Sequence, residues 1–174
     1  MTAVANSAFT ASQFNAHVRD NLLETAPAKA TTSGSIFVGT GSNAIAERVL
    51  GLDTISTQEA TSSTSFVNLA TVGPAVTLTT GTSAIVFIGA RAWNDTASGI
   101  ATMGVAVSGS STISATEDNA YMVRSSSDSI FVRAHAAVLF DGTLTAGSNT
   151  FTAKYRAATG EGSWRDRSLL AIPL

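Results

Sequence analysis

The sequence predicts a mainly β protein: an antiparallel β-sandwich preceded by a short N-terminal α-helix and an extended arm. Two observations carry this. From Asp53 onwards, runs of β-branched and aromatic residues are punctuated by Gly, Asn, Asp and Ser at the spacing of a sandwich, with no helical periodicity among them. Before them stands a single capped amphipathic stretch.

That stretch opens with Thr10-Ala-Ser-Gln13, a capping box in which the Thr hydroxyl and the Gln side chain satisfy orphan N–H groups. Phe9 and Phe14 occupy the positions of a hydrophobic staple. The helix should begin at Ala11 and run to about Glu24, because Pro27 then forces a turn or extended backbone. Phe14, Val18 and Leu22 recur every four residues and give one apolar stripe, with His17, Arg19, Asp20 and Glu24 off it. A lone helix this short is marginal in water, so the stripe must dock, on its own domain or on another chain.

Residues 28–52 are rich in Thr, Ser and Gly, with short apolar pieces at 36–38 and 45–50, and read as an extended arm with local turns. The organisation expected is therefore a docking helix over 1–27, a connector arm over 28–58 and a sandwich over 59–174. Within the sandwich, strands are expected at 65–71, 75–80, 83–93, 100–108, 112–115, 120–124, 129–141, 149–156 and 163–172. The clearest is 150–156, where Phe151, Ala153 and Tyr155 alternate with Thr, Lys and Arg, so one face is buried and the other wet. By contrast, 85–88 and 136–140 are apolar on both faces, and their second face needs a cover. Leu170, Ile172 and Leu174 share one strand face, which places this last strand inside a sheet.

Composition narrows the function. Charged residues make up 13% of the chain, about half of the roughly 25% usual in soluble domains. A surface filled with Ser, Thr, Ala and Gly is easily desolvated and suits an assembly component. The net charge of −2 and the lack of a Lys/Arg cluster beyond Arg165 and Arg167 disfavour nucleic acid. Cysteine is absent, which removes disulfides, thiolate nucleophiles and sulfur-ligated metals. Neither a signal peptide nor a membrane span is expected, so membrane is not a predicted partner.

Motifs that could carry chemistry are few. Gly39-Thr-Gly-Ser-Asn-Ala44 matches GxGxxA, but a dinucleotide site needs a βαβ unit around it, and a turn in the arm is the preferred reading. His17 and His135 have no second ligand at metal spacing. Counting by two places His135 with Phe131, Arg133, Ala137 and Leu139 on one strand face, and Phe131, Arg133, His135 and Leu139 are a candidate subunit interface; a hydrogen-bonded sheet histidine is the plainer alternative. Most acids fall in predicted turns. Glu117, Asp118, Glu161 and Asp166 could form a glycosidase pair only if two of them flank a groove, and Trp93 and Trp164 serve as core or interface anchors as readily as sugar platforms. Asn94-Asp-Thr96 is a formal glycosylation sequon. No catalytic, cofactor-binding or metal-ligating set is predicted.

Phe9-Thr-Ala-Ser-Gln-Phe-Asn-Ala-His-Val-Arg-Asp-Asn-Leu-Leu23, Thr31-Thr-Ser-Gly-Ser-Ile-Phe-Val38 and Gly41-Ser-Asn-Ala-Ile-Ala-Glu-Arg48 together resemble the N-terminal segment of virion proteins, tail-associated and other, of phages and prophages of actinobacteria. Leu144-Thr-Ala-Gly-Ser-Asn-Thr-Phe-Thr-Ala-Lys-Tyr-Arg156 and Asp166-Arg-Ser-Leu-Leu-Ala-Ile-Pro-Leu174 are similar to the closing strands of that group. The resemblance implies a jelly-roll-like head, a homotrimer, and a non-enzymatic virion protein of minor tail, tail-fibre or capsid decoration type, assembled in the bacterial host cytoplasm. It implies docking on other virion proteins through Phe14, Asn15, Val18, Arg19, Asp20, Asn21 and Leu22. A host cell-surface glycan is a further candidate partner, and a carbohydrate-binding or carbohydrate-cleaving adsorption domain is the rival reading.

Overall fold

A computed structural model describes the chain at residues 8, 10–23, 25, 29–124 and 130–174, and the staple residue Phe9 lies outside them. The chain divides into two compact units, 1–47 and 48–174.

In the first unit the helical segment comprises α1 (Ala11–Phe14), a π-helical turn (Asn15–Arg19) and α2 (Asp20–Leu23). The capping box is present: the Gln13 N–H donates to the Thr10 hydroxyl at 3.2 Å, and the Thr10 N–H donates to Gln13 Oε1 at 3.0 Å. The expected uniform α-helix is interrupted because the Asp20 N–H reaches back five residues to the Asn15 carbonyl. The region read as an extended arm forms a hairpin instead, β1 (Ile36–Gly41) with β2 (Ala44–Arg48). Its two-residue turn needs a positive φ, which Asn43 supplies at +57°. The GxGxxA match is thus a hairpin turn followed by a strand, without the helix N-terminus that a dinucleotide phosphate requires.

Glu47 fastens the chain before this hairpin. Its carboxylate accepts from the Thr31 N–H at 3.0 Å, the Thr32 N–H at 2.7 Å and the Ser35 hydroxyl at 2.6 Å, and also from the Thr31 hydroxyl. The Ser35 and Thr31 side chains, with the Thr32 amide, hold its pKa down at about 2. A depressed carboxylate favours the fold above its ordinary value of 4.5, and that contribution is lost as pH falls toward about 2. The Thr31 and Thr32 amide resonances are therefore expected to titrate with a midpoint near 2; a midpoint at 4.5 would mean that Glu47 does not hold this turn.

The second unit is a two-sheet sandwich built from β3 (Gly51–Ile55), β4 (Glu59–Thr61), β5 (Ala75–Thr80), β6 (Ala84–Asn94), β7 (Ile100–Gly109), β8 (Ala120–Arg124), β9 (Val132–Phe140), β10 (Gly147–Ala157) and β11 (Gly162–Pro173). One sheet runs β5-β10-β7-β8 and the other β3-β11-β6-β9, with β4 beside β3 on the same edge of β11. The pairings are antiparallel. Setting β4 aside, eight strands interleave two sheets in the order of a jelly roll.

Three expectations change. Residues 51–55, read as arm, become an edge strand on β11. Residues 65–71 form no strand, only a bridge from Val67 to Tyr155, because β5 already occupies that edge of β10 from Gly147 to Thr152. Residues 112–115 likewise make a single bridge, Ile113 to Val107, since β8 takes the edge of β7 from Ile100 to Gly104.

The core lies between the sheets, where alternation directs it. Val86, Ile88 and Ala90 of β6 meet Phe151, Ala153 and Tyr155 of β10 and Met103 and Val105 of β7 in one buried cluster. Trp164 is the largest buried side chain, its ring 5.1 Å from that of Tyr155. Asn94 of the sequon is buried too: its side chain donates to the Thr159 carbonyl at 2.8 Å and accepts from the Thr96 N–H at 2.9 Å, which makes it a loop staple.

Candidate functional site

The alternation that fills the core leaves the outer face of the β3-β11-β6-β9 sheet with an unusual set of side chains. Register places Ile172, Ile85 and Leu139 in one row across three strands, and Leu52, Leu170, Phe87 and Ala137 in the next. Leu52, Leu139 and Phe87 are 67%, 63% and 43% exposed. Burying such side chains is worth about 1.5–3 kcal/mol each, so this end of the face is suited to a contact.

Moving along the strands, the chemistry changes. Thr54, Ser168, Gly89 and His135 form the middle row, and Arg165, Arg91 and Arg133 the row beyond it. Gly89 leaves room for the His135 ring, whose Nδ1 would lie 2.1 Å from a Cβ at that position. Arg133 Nε donates to His135 Nε2 at 3.3 Å. Arg165 stacks on Phe131 at 4.4 Å, and Phe131 meets Trp93 edge-on at 5.7 Å. Phe131, Arg133, His135 and Leu139 do share a face, but Leu139 belongs to its apolar end and the other three to its cationic end.

A bulge in β11 shapes the cationic end. Arg165 pairs with Arg91 and Ser168 with Gly89, so Asp166 and Arg167 together oppose Ala90 alone. Asp166 takes φ +51°, a conformation Asp tolerates, and faces Arg91 at 3.6 Å. Arg167 is turned inward instead and is completely buried, 3.0 Å from Glu59 and 5.6 Å from the Tyr155 ring centroid. Burial pushes the Glu59 carboxyl up, but the Thr71 hydroxyl at 2.6 Å, the Thr71 amide and the Arg167 charge outweigh it and hold the pKa below the ordinary value. Tyr155 is raised by its burial and stays a neutral donor to the Gly73 carbonyl at 2.9 Å.

Sequence reasoning found Arg133 but missed Arg91 and Arg165 as its neighbours. Arg91 was legible by counting every second residue from Ile85. The bulge was hidden, since unbroken alternation would put Arg165 and Arg167 on the same face.

On the helix, Phe14 and Leu22 are 49% and 61% exposed, and Val18 is half-buried. Arg19 and Asp20 bond one another at 2.8 Å, Asn21 donates to the His17 carbonyl at 2.8 Å, and the Asn15 carbonyl closes the π turn. The Arg19, Asp20 and Asn21 side chains of the docking set thus bond within the helix, while Leu22 is exposed.

Of the acids weighed as a glycosidase pair, Glu117 and Asp166 lie apart. Glu117 is held by Arg156 beside the outer face of β10, whereas Asp166 faces Arg91 on the opposite sheet. Among the described residues no group of three or more His, Asp or Glu side chains is placed to hold a metal ion.

Fold and surface together define a jelly-roll sandwich with one mixed apolar and cationic sheet face. No protein-family model matches the chain, and no curated protein matches it. Among solved structures it is similar to chains from "Structure of infectious bursal disease virus Gx strain" and the corresponding Gt strain structure, at TM-scores of 0.41 and 0.40 and 10% identity. The matches cover 77% and 78% of this chain and 35% of each of those, so the chain spans about a third of their length. The jelly-roll assignment rests on strand order and not on this likeness.

Proposed function

We propose that the chain is a non-enzymatic structural protein of a bacteriophage particle, a homotrimeric tail- or fibre-associated component whose N-terminal helix docks on another virion protein while the jelly roll projects. The observation that carries this reading is the exposed apolar end of the β3-β11-β6-β9 face, with Leu52, Phe87 and Leu139 open to solvent on three strands of one sheet. Jelly rolls recur in viral capsid domains, and the low charge content makes side-by-side packing cheap. The exposed Leu22 gives the helix an apolar contact of its own. The role is attachment and shape.

Light scattering tests it directly. The full chain is expected to run as a trimer, to remain one when residues 1–30 are removed, and to become a folded monomer with Leu139→Asp. A monomeric full-length chain would end the trimer reading. Gold labelling of purified particles is expected at the tail; dense labelling over the shell would favour a capsid decoration protein instead.

A further inference from the structure

The cationic end of the sheet face is not needed for a contact made by the apolar end, and its chemistry is that of a ligand site. Arg165, Arg91 and Arg133 stand side by side on neighbouring strands, about 4.8 Å from strand to strand, where like charges repel. Among the described residues, the acid within ion-pair distance of the row is Asp166, 3.6 Å from Arg91. The other two guanidinium groups are positioned by aromatic rings: Arg165 by the Phe131 ring and Arg133 by the His135 ring, to which it donates. The row concentrates three of the ten Lys and Arg side chains of a chain whose net charge is −2.

Beside the row the face sinks into a cavity of about 200 Å³. Of the three arginines of the row Arg133 lines it, together with Asp166, Arg167 and the hydroxyl residues Thr54, Ser56 and Ser168. This donor set discriminates among ligands. A simple anion is attracted by the row but meets the Asp166 carboxylate, and a neutral polyol leaves the arginines unpaired. A sugar bearing a carboxylate fits both: its carboxylate takes the planar guanidinium fork, and its ring hydroxyls donate to Asp166 and exchange hydrogen bonds with Ser and Thr. We propose that this cavity and the arginine row bind an acidic sugar of the uronate class. The source of that sugar, a polysaccharide at the host surface, rests on the virion reading above; the site itself does not.

The test is titration of the full isotope-labelled chain with D-glucuronate, D-glucose and inorganic phosphate, followed by amide shifts. Glucuronate is expected to move Thr54, Arg133 and Ser168, with glucose and phosphate far weaker. Arg133→Gln should weaken glucuronate by about tenfold or more, the loss of a charge-assisted pair. Asp166→Asn, which keeps a residue tolerant of φ +51°, should let phosphate compete. Phosphate equal to glucuronate on the unchanged chain would reduce the site to a plain anion patch, and the absence of shifts at these residues would remove it. Absence of the protein from purified particles would overturn the virion reading while leaving a positive glucuronate titration intact.

Discussion

Glu59→Gln is expected to destabilise the sandwich by about 3–5 kcal/mol, read as a shift in the urea midpoint, because it strands a fully buried guanidinium without its counter-charge. A domain of this size has about 5–15 kcal/mol in total, so the loss is a large part of its stability. The pair is a costly way to fill the space: Arg167 Nε finds no hydrogen-bond partner among the described residues, and its contacts to the Thr71 and Thr57 carbonyls are long, at 3.5 and 3.4 Å. Replacing both partners, Glu59→Leu with Arg167→Met, should therefore recover most of what the single substitution loses. The pH dependence follows from the lowered Glu59 pKa. The pair contributes fully above the ordinary carboxylate value of 4.5, and its contribution disappears as pH falls through the lower folded-state value. The unchanged chain should lose stability in that acid range, and the doubly apolar variant should not lose this component. If Glu59→Gln shifts stability by less than about 1 kcal/mol, the pair is not what holds β4 and β11 together.

The same pair marks the limit of what was legible in the sequence. Strands with uninterrupted alternation could be placed almost to the residue, as β5 and β8 were, because a buried face imposes period two and Pro74, Gly81 and Asn119 mark three of their four ends. Residues 65–71 have comparable β propensity but find only the short piece of the β10 edge beyond Thr152, and edge availability is a property of the whole fold. Residues 51–55 failed in the opposite sense: their Gly and Asp look like loop, yet β11 offers them an edge. At the candidate site, alternation alone put Arg133 and His135 on one face, while the row they complete depends on strand order and on a bulge at Asp166. Strand order is set by long-range pairing, which a single sequence does not display.

Trp164→Ala is the second change expected to cost about 3–5 kcal/mol. On sequence, Trp164 served equally as a core anchor and as a platform for sugars, and the fold decides between them: the side chain is completely buried, tilted against Tyr155 at 5.1 Å, and a Cβ on Gly162 would lie 2.5 Å from its ring. Removing the indole leaves a cavity between two sheets whose strands are fixed on both sides by ladders, so little collapse is available to offset it. Gly162→Ala should cost about 1–3 kcal/mol by overpacking the same spot. Trp164→Phe should be milder than Trp164→Ala, since the indole Nε1 finds no partner among the described residues and its loss removes a buried unsatisfied donor. Tryptophan emission gives the readout: with Trp93→Phe as background, the remaining fluorescence should be blue-shifted in the folded state and move red at the unfolding midpoint. A Trp164→Ala protein as stable as its parent would place the core elsewhere. One that is destabilised but still binds glucuronate would separate the role of Trp164 in folding from the arginine row that lies on the other side of its sheet.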